Sequence, residues 1–158
     1  MRVGIGYDAH KLASGRPLIL GGIKISKENG LEGHSDGDVL IHSIIDALLG
    51  AAALGDIGQH FPSDNLALAG IKSTAMLTKV RELLDQEGWR VLNVDATIVA
   101  EKPKLAPYVD LMRKEIGALL AIESQRVSVK ATTTDGLGFT GSLKGVTCHS
   151  IGLIESKR

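Results

Sequence analysis

Residues 39–54 read VLIHSIIDALLGAAAL (Val39–Leu54), and the fold is decided by this stretch. It is too long for one strand and falls short of the ~20 apolar residues of a membrane span, so the spacing predicts a helix with few solvated positions. Upstream, Arg2 to Asp8 reads as a strand. Val3, Ile5 and Tyr7 point one way, while Gly4, Gly6, Asp8 and (if the strand continues) His10 point the other. Pro17–Leu20 and Ile23–Ile25 flank Gly21-Gly22 as a hairpin. Downstream, Ser73 can cap a helix that turns Met76, Leu77, Val80, Leu83 and Leu84 inward. Val91–Ala100 is strand-like, and a helix from Pro107 to Ala121 buries Val109, Met112, Ile116, Leu119 and Leu120. Arg126–Thr134 and Val146–Ile154 are further strands.

Strands alternating with helices predict an α/β (α+β) sandwich, with a mixed sheet of about four strands and helices packed on one face. The other sheet face needs cover of its own. On the last strand it carries either Val146, Cys148 and Ile154, or Thr147, Ile151 and Leu153. Both sets are partly apolar, which points to subunit association.

A chain of 158 residues fits a single domain, 1–158. Its 18 basic and 18 acidic residues cancel, which argues against a general nucleic-acid binder or a protein held to an anionic membrane. One cysteine, Cys148, excludes an intrachain disulfide and a cysteine-based zinc cluster, and it suits a reducing compartment. The opening MRVGIGYDAH enters a strand at once, so no targeting peptide is expected.

Asp8-Ala9-His10 places a carboxylate and an imidazole on one side of a strand, with Gly4 and Gly6 leaving room beside them. His42 is the histidine of the apolar helix, and Asp38 and Asp46 lie one turn away on either side of it. Either carboxylate can accept the N–H of the ring nitrogen not bound to a metal. Asp8, His10 and His42 together make three ligands with one tetrahedral position open, as in catalytic zinc. The turn His34-Ser35-Asp36-Gly37-Asp38 offers small residues and free N–H groups to an anion at the helix start. Gly55 is a natural end for that helix, a role that leaves Asp56 unexplained. Thr132-Thr-Thr134 supplies hydroxyls, Asp135 a hard oxygen ligand, and Gly136, Gly138 and Gly141 a mobile loop, which suits phosphate and Mg²⁺. Ala100–Lys104 is another loop at a strand end, where ligand sites on rigid scaffolds usually lie.

Taken together, D-x-H at 8–10, H-S-D-G-D-x-x-x-H at 34–42, G-D-I-G at 55–58 and K-A-T-T-T-x-x-L-G-F-T-G at 130–141 resemble the 2-C-methyl-D-erythritol 2,4-cyclodiphosphate synthase family, from Arg2 to about Leu153. The resemblance implies a homotrimer whose sheets face a central apolar cavity, with active sites between subunits. It implies a small CDP-linked substrate, 4-diphosphocytidyl-2-C-methyl-D-erythritol 2-phosphate, cyclised with release of CMP. By the same resemblance Asp8, His10 and His42 hold Zn²⁺, and Mg²⁺ or Mn²⁺ sits at Asp135. His34 and Ser35 contact the phosphates, Thr133 the transition state. Asp8, Ala9, His10, Asp56, Ile57, Gly58, Phe61, Pro62, Ser63, Asp64, Asn65 and Phe139 contact the substrate. Ala100, Glu101, Lys102, Pro103, Lys104, Leu105 and Ala106, with Ala131, Thr132, Thr133 and Thr134, form the cytidine pocket. A cytoplasmic bacterial enzyme is expected, or a mature plastid form.

The chain departs from the family pattern at several positions. Position 135 is usually Glu, Gly136 is often Lys, and Ser142 stands where an Arg is common. Ser63-Asp64-Asn65 replaces a more acidic run. The competing expectations are a metal-dependent phosphohydrolase that uses water as nucleophile, and a non-catalytic trimeric protein that binds an isoprenoid.

Overall fold

A computed structural model describes residues 1–157. In chain order the elements are β1 (Arg2–Ala13), β2 (Leu18–Leu20), β3 (Ile23–Ser26), β4 (Gly30–Leu31), α1 (Val39–Ala52), α2 (Ile57–His60), α3 (Ser73–Gln86), β5 (Trp89–Val99), α4 (Val109–Leu120), β6 (Val127–Thr132), α5 (Gly138–Gly141) and β7 (Gly145–Ser156). The main sheet has the order β4-β1-β7-β5-β6. Only β5 and β6 run parallel within it, so it is mixed, as the sequence predicts. It has a fifth strand because β1 continues past Asp8, and Leu12 and Ala13 there pair with the short β4. The β2–β3 hairpin forms a separate two-stranded sheet around Gly21-Gly22.

Twelve of the fourteen α1 residues are buried. The cause is cover on opposite sides: β1 and β7 lie beneath the helix, while α3 and the hairpin lie against it elsewhere. On β1 the glycines, not the apolar residues, face the helix. A Cβ added at Gly6 would lie 1.9 Å from the Ser43 carbonyl oxygen, and one at Gly4 2.1 Å from that of Ala47. Helix and strand therefore meet backbone to backbone, and Val3, Ile5 and Tyr7 are left exposed on the open sheet face. On β7, Val146, Cys148 and Ile154 enter the core while Ile151 joins the open face.

Two helix ends differ from expectation. α1 stops at Ala53, which adopts the left-handed conformation (φ 59°) and bonds back to Gly50 and Leu49; Gly55 comes after this reversal. At the start of α3 the Ser73 hydroxyl makes no cap. Instead Asp36, from the turn before α1, accepts the Ser73 N–H at 3.0 Å. The orphan donor is satisfied by a distant chain segment, which removes the need for a local cap.

Candidate metal centre and its surroundings

β1 carries Asp8 and His10 on its glycine side, directly under the turn of α1 that holds His42. Three ligand atoms converge there. Asp8 Oδ2 is 2.8 Å from His10 Nε2 and 3.1 Å from His42 Nδ1, and the two ring nitrogens are 3.1 Å apart. Ligands about 2.0 Å from a tetrahedral zinc ion stand roughly 3.3 Å from one another. A carboxylate and two imidazoles in a near-equilateral triangle thus fit a zinc-like ion with little movement. His10 Nδ1 donates to the Glu32 carbonyl oxygen, which leaves Nε2 with a lone pair for the centre.

Burial on its own would raise the Asp8 carboxyl, but the hydrogen bonds and charge of His10 and His42 prevail and hold it well below the usual carboxylate range. Burial would lower His10, yet Asp8 and the Glu32 carbonyl raise it. The site keeps an ionised carboxylate between two rings.

The carboxylates expected to support His42 are engaged elsewhere. Asp38 is fully buried, and its oxygens accept the N–H groups of Gly21 (3.0 Å), Gly22 (2.7 Å) and Ile41 (3.1 Å). It caps α1 and pins the hairpin turn at once, and burial pushes its carboxyl up to about 6 against those donors. Asp46 accepts the Ile57 N–H at 2.8 Å. The ring nitrogen of His42 that faces away from the triangle, Nε2, instead meets Ser73 Oγ at 2.9 Å and Ser35 Oγ at 3.0 Å. The i±4 spacing does not reveal these contacts: apart from the local Ile41 N–H, the donors that hold the two carboxylates come from Gly21, Gly22 and Ile57.

A cavity of about 410 Å³ opens from the triangle. Asp8, His10, His34, Ser35 and His42 line it, together with Ile57, Gly58, Phe61, Pro62, Ser63 and Asn65. Leu66, Leu68, Ala69, Ile71 and Met76 complete the wall, and no motif contains them. Asp56 stands at the start of α2, where it accepts the Gln59 N–H at 3.0 Å. Ala9 lies on the outer face of β1, and Asp64 is outside the residues lining the cavity.

The loops after β5 and β6 form a second cluster. Glu101 Oε1 accepts the Thr134 N–H at 2.8 Å, and Thr134 Oγ1 lies 3.0 Å from Thr140 Oγ1, so Thr134 serves to hold the loop. Thr133 Oγ1 donates to the exposed, left-handed Asp135 at 3.3 Å. Leu105 packs into the core, Ala131 and Thr132 are exposed at the end of β6, and Phe139 stands against Gly145. Lys102 and Pro103 line a separate groove of about 620 Å³ with Leu12 and Leu143, while Lys104 and Ala106 are exposed beside it in sequence. None of residues 100–106 or 131–135 lines the cavity that holds the acid–histidine triangle.

Residues 1–155 match the YgbB family. The chain belongs to the YgbB family. Among curated YgbB relatives, the 2-C-methyl-D-erythritol 2,4-cyclodiphosphate synthase of Syntrophomonas wolfei is 57% identical across 98% of this chain and 99% of its own. That of Symbiobacterium thermophilum is 52% identical across 99% and 100%. Among solved structures, a Plasmodium falciparum IspF in complex with CDP superposes with a TM-score of 0.86 at 34% identity, covering 99% of this chain and 97% of that one. The bifunctional IspDF of Campylobacter jejuni gives 0.95 at 37% identity; the match takes in 98% of this chain but only 42% of the longer protein. The YgbB fold is thus an α/β fold with a mixed sheet, and no described helix is long and apolar enough to cross a membrane.

Proposed function

We propose that the chain is a single-domain (1–158) cytoplasmic bacterial synthase that converts 4-diphosphocytidyl-2-C-methyl-D-erythritol 2-phosphate to 2-C-methyl-D-erythritol 2,4-cyclodiphosphate and CMP. The observation that carries this reading is the convergence of Asp8, His10 and His42 in the wall of a cavity that Ile57, Gly58, Phe61, Pro62, Ser63 and Asn65 also line. In the reaction an oxygen of the 2-phosphate bonds to the β-phosphorus, the bond from that phosphorus to the bridging oxygen breaks, and CMP leaves with that oxygen. The ring closes without a nucleophilic side chain or a water. What the protein contributes is positioning and charge.

Asp8, His10 and His42 fit Zn²⁺, and Asp135 suits Mg²⁺ or Mn²⁺; the two cations, when bound, supply positive charge beside the diphosphate. Among the described residues, no Lys or Arg lines the cavity to supply such charge. His34 and Ser35, on the turn leading into α1, are placed to contact phosphate, and the start of that helix favours an anion. The apolar side chains of Ile57, Phe61 and Pro62 in the cavity wall suit the methylerythritol carbons and limit access of water, which would otherwise compete as nucleophile.

Residues 100–106 and 131–135 take the cytidine and second-metal roles in this reading, with Thr133 at the transition state. They lie outside the triangle's cavity, which supports a site completed between subunits. The exposed Val3, Ile5, Tyr7 and Ile151 give a homotrimer an apolar face to enclose. Incubating the metal-loaded protein with the CDP-linked substrate and following ³¹P NMR tests the reading. A cyclic diphosphate with stoichiometric CMP is expected. Inorganic phosphate would instead identify a phosphohydrolase, and unchanged substrate a binding protein.

A further inference from the structure

We infer that Ser73, oriented by Asp36, is a positioning residue that holds the His42 imidazole in the tautomer protonated at Nε2 and so keeps Nδ1 free to ligate a metal. The inference rests on the reading of His42 as a ligand. It follows from counting protons. The Asp36 carboxylate accepts the Ser73 N–H at 3.0 Å and the Asp38 N–H at 3.2 Å, and the Ser73 hydroxyl closes on it as well. A carboxylate has no proton to return, so the single hydroxyl proton of Ser73 is committed to Asp36. The remaining lone pairs of Ser73 Oγ face His42 Nε2 at 2.9 Å, and this contact is a hydrogen bond only if the ring is the donor. Ser35 Oγ, at 3.0 Å from the same nitrogen, also receives the Gly37 N–H, and it can share the ring proton.

With the proton on Nδ1 instead, Asp8 Oδ2 would accept it, but the lone pairs of Nε2 and Ser73 Oγ would be set against each other where Ser73 is fully buried, so Ser73 and the Asp36 that orients it tip the balance toward Nε2. A neutral imidazole protonated at Nε2 presents an unprotonated Nδ1, the atom 3.1 Å from both Asp8 Oδ2 and His10 Nε2. His10 achieves the same end with the opposite tautomer, giving its Nδ1 proton to Glu32. The relay joins the turn before α1, the start of α3 and the middle of α1, so the docking of α3 sets the chemistry of His42.

The test compares the full chain with Ser73→Ala and His42→Ala. Two-bond ¹H–¹⁵N spectra of metal-free protein at mildly alkaline pH read the His42 tautomer, and competition with a chromophoric chelator reads zinc affinity. The wild type is expected to show the Nε2-protonated ring. Ser73→Ala is expected to give mixed tautomers and to weaken zinc binding by about ten- to a hundredfold. A wild-type ring protonated at Nδ1, or a Ser73→Ala protein with unchanged tautomer and zinc affinity, overturns the inference. If Ser73→Ala does not fold, the wild-type tautomer decides alone. His42→Ala separates the two claims: loss of zinc with Ser73→Ala unaffected sinks only the relay, whereas full zinc retention in His42→Ala sinks the ligand assignment and the relay with it.

Discussion

Glu101 Oε1 accepts the Thr134 N–H at 2.8 Å, so one side chain on the loop after β5 fastens the loop after β6. It also lies 3.4 Å from the Gly136 nitrogen. Removing it frees the segment that presents Thr133 and Asp135. Hydrogen bonds to charged groups contribute about 1.5–3 kcal/mol when well sheltered, and this part-exposed one belongs at the low end. Glu101→Ala is expected to raise the KM for the CDP-linked substrate roughly tenfold, with Glu101→Gln intermediate and zinc content unchanged. Steady-state assays with metal analysis check it.

His42→Ala is expected to lose most bound zinc and nearly all turnover while keeping the wild-type circular dichroism spectrum. One ligand of three disappears, but α1 keeps its apolar contacts on both sides. Full zinc and activity in this variant would remove the metal assignment.

Asp38→Asn and Asp46→Asn should separate in urea unfolding. The Asp38 carboxylate serves three N–H donors, and an amide turns one of its two acceptors into a donor facing Gly21 or Gly22. A loss of about 1–3 kcal/mol is expected. Asn at 46 can still accept from Ile57, so its loss should stay below about 1 kcal/mol. Zinc content should hold in both, since neither carboxylate touches the His42 ring.

Asp135→Glu tests the second cation. A carboxylate one methylene shorter reaches roughly 1.5 Å less far, and Mg²⁺ tolerates little error around its ~2.1 Å distances. Asp135 is exposed on a left-handed residue next to Gly136 (φ 81°), a backbone able to shift. The Glu variant should show a tighter Mg²⁺ dependence of CMP release with zinc unchanged. An unchanged Mg²⁺ titration, with Asp135→Ala inactive, would mean that the loop already accommodates the shorter side chain.

Metal-free protein should reveal the Asp8–His10 pair through pH. Asp8 is depressed, so its contribution is present above the ordinary carboxylate pKa of about 3.9 and is lost as pH falls through the depressed value. His10 is raised, so its contribution is full below about 6.5 and is lost as pH rises through the raised value. The stability gap between wild type and Asp8→Asn should therefore peak between about pH 4 and 6.5. Zinc, which needs His10 deprotonated, should move that maximum toward neutral pH. A gap that is flat from pH 4 to 8 without metal would refute the pairing.

The fold is most legible in the sequence where one element carries the signal. The all-round apolar run of α1, the inward faces of α3 and α4, and the placing of Asp8 and His10 on one side of β1 are each legible in local spacing. It is least legible where a contact spans the chain. β4 is two residues long and has no pattern of its own, and β1 continues through the polar His10 and Lys11 because it pairs with β7. The partners of His42 lie beyond local spacing, because i±4 geometry cannot show that Gly21, Gly22 and Ile57 occupy the two carboxylates. Asp36 belongs to the H-S-D-G-D-x-x-x-H motif at 34–42, yet its partner Ser73 lies 37 positions away. No periodicity links such a pair.

The close seating of β1 on α1 gives an invisible atom a measurable weight. A methyl group at position 6 has nowhere to go but into the Ser43 carbonyl, one residue along from His42. The relief would be to lift that turn of the helix, and with it the imidazole, away from Asp8. In a saturation scan scored by zinc retention, Gly6 should tolerate change as poorly as a ligand does. A survey that ranked positions by intolerance alone would then credit chemistry to a residue that has no side chain, when what it supplies is the spacing on which the chemistry depends.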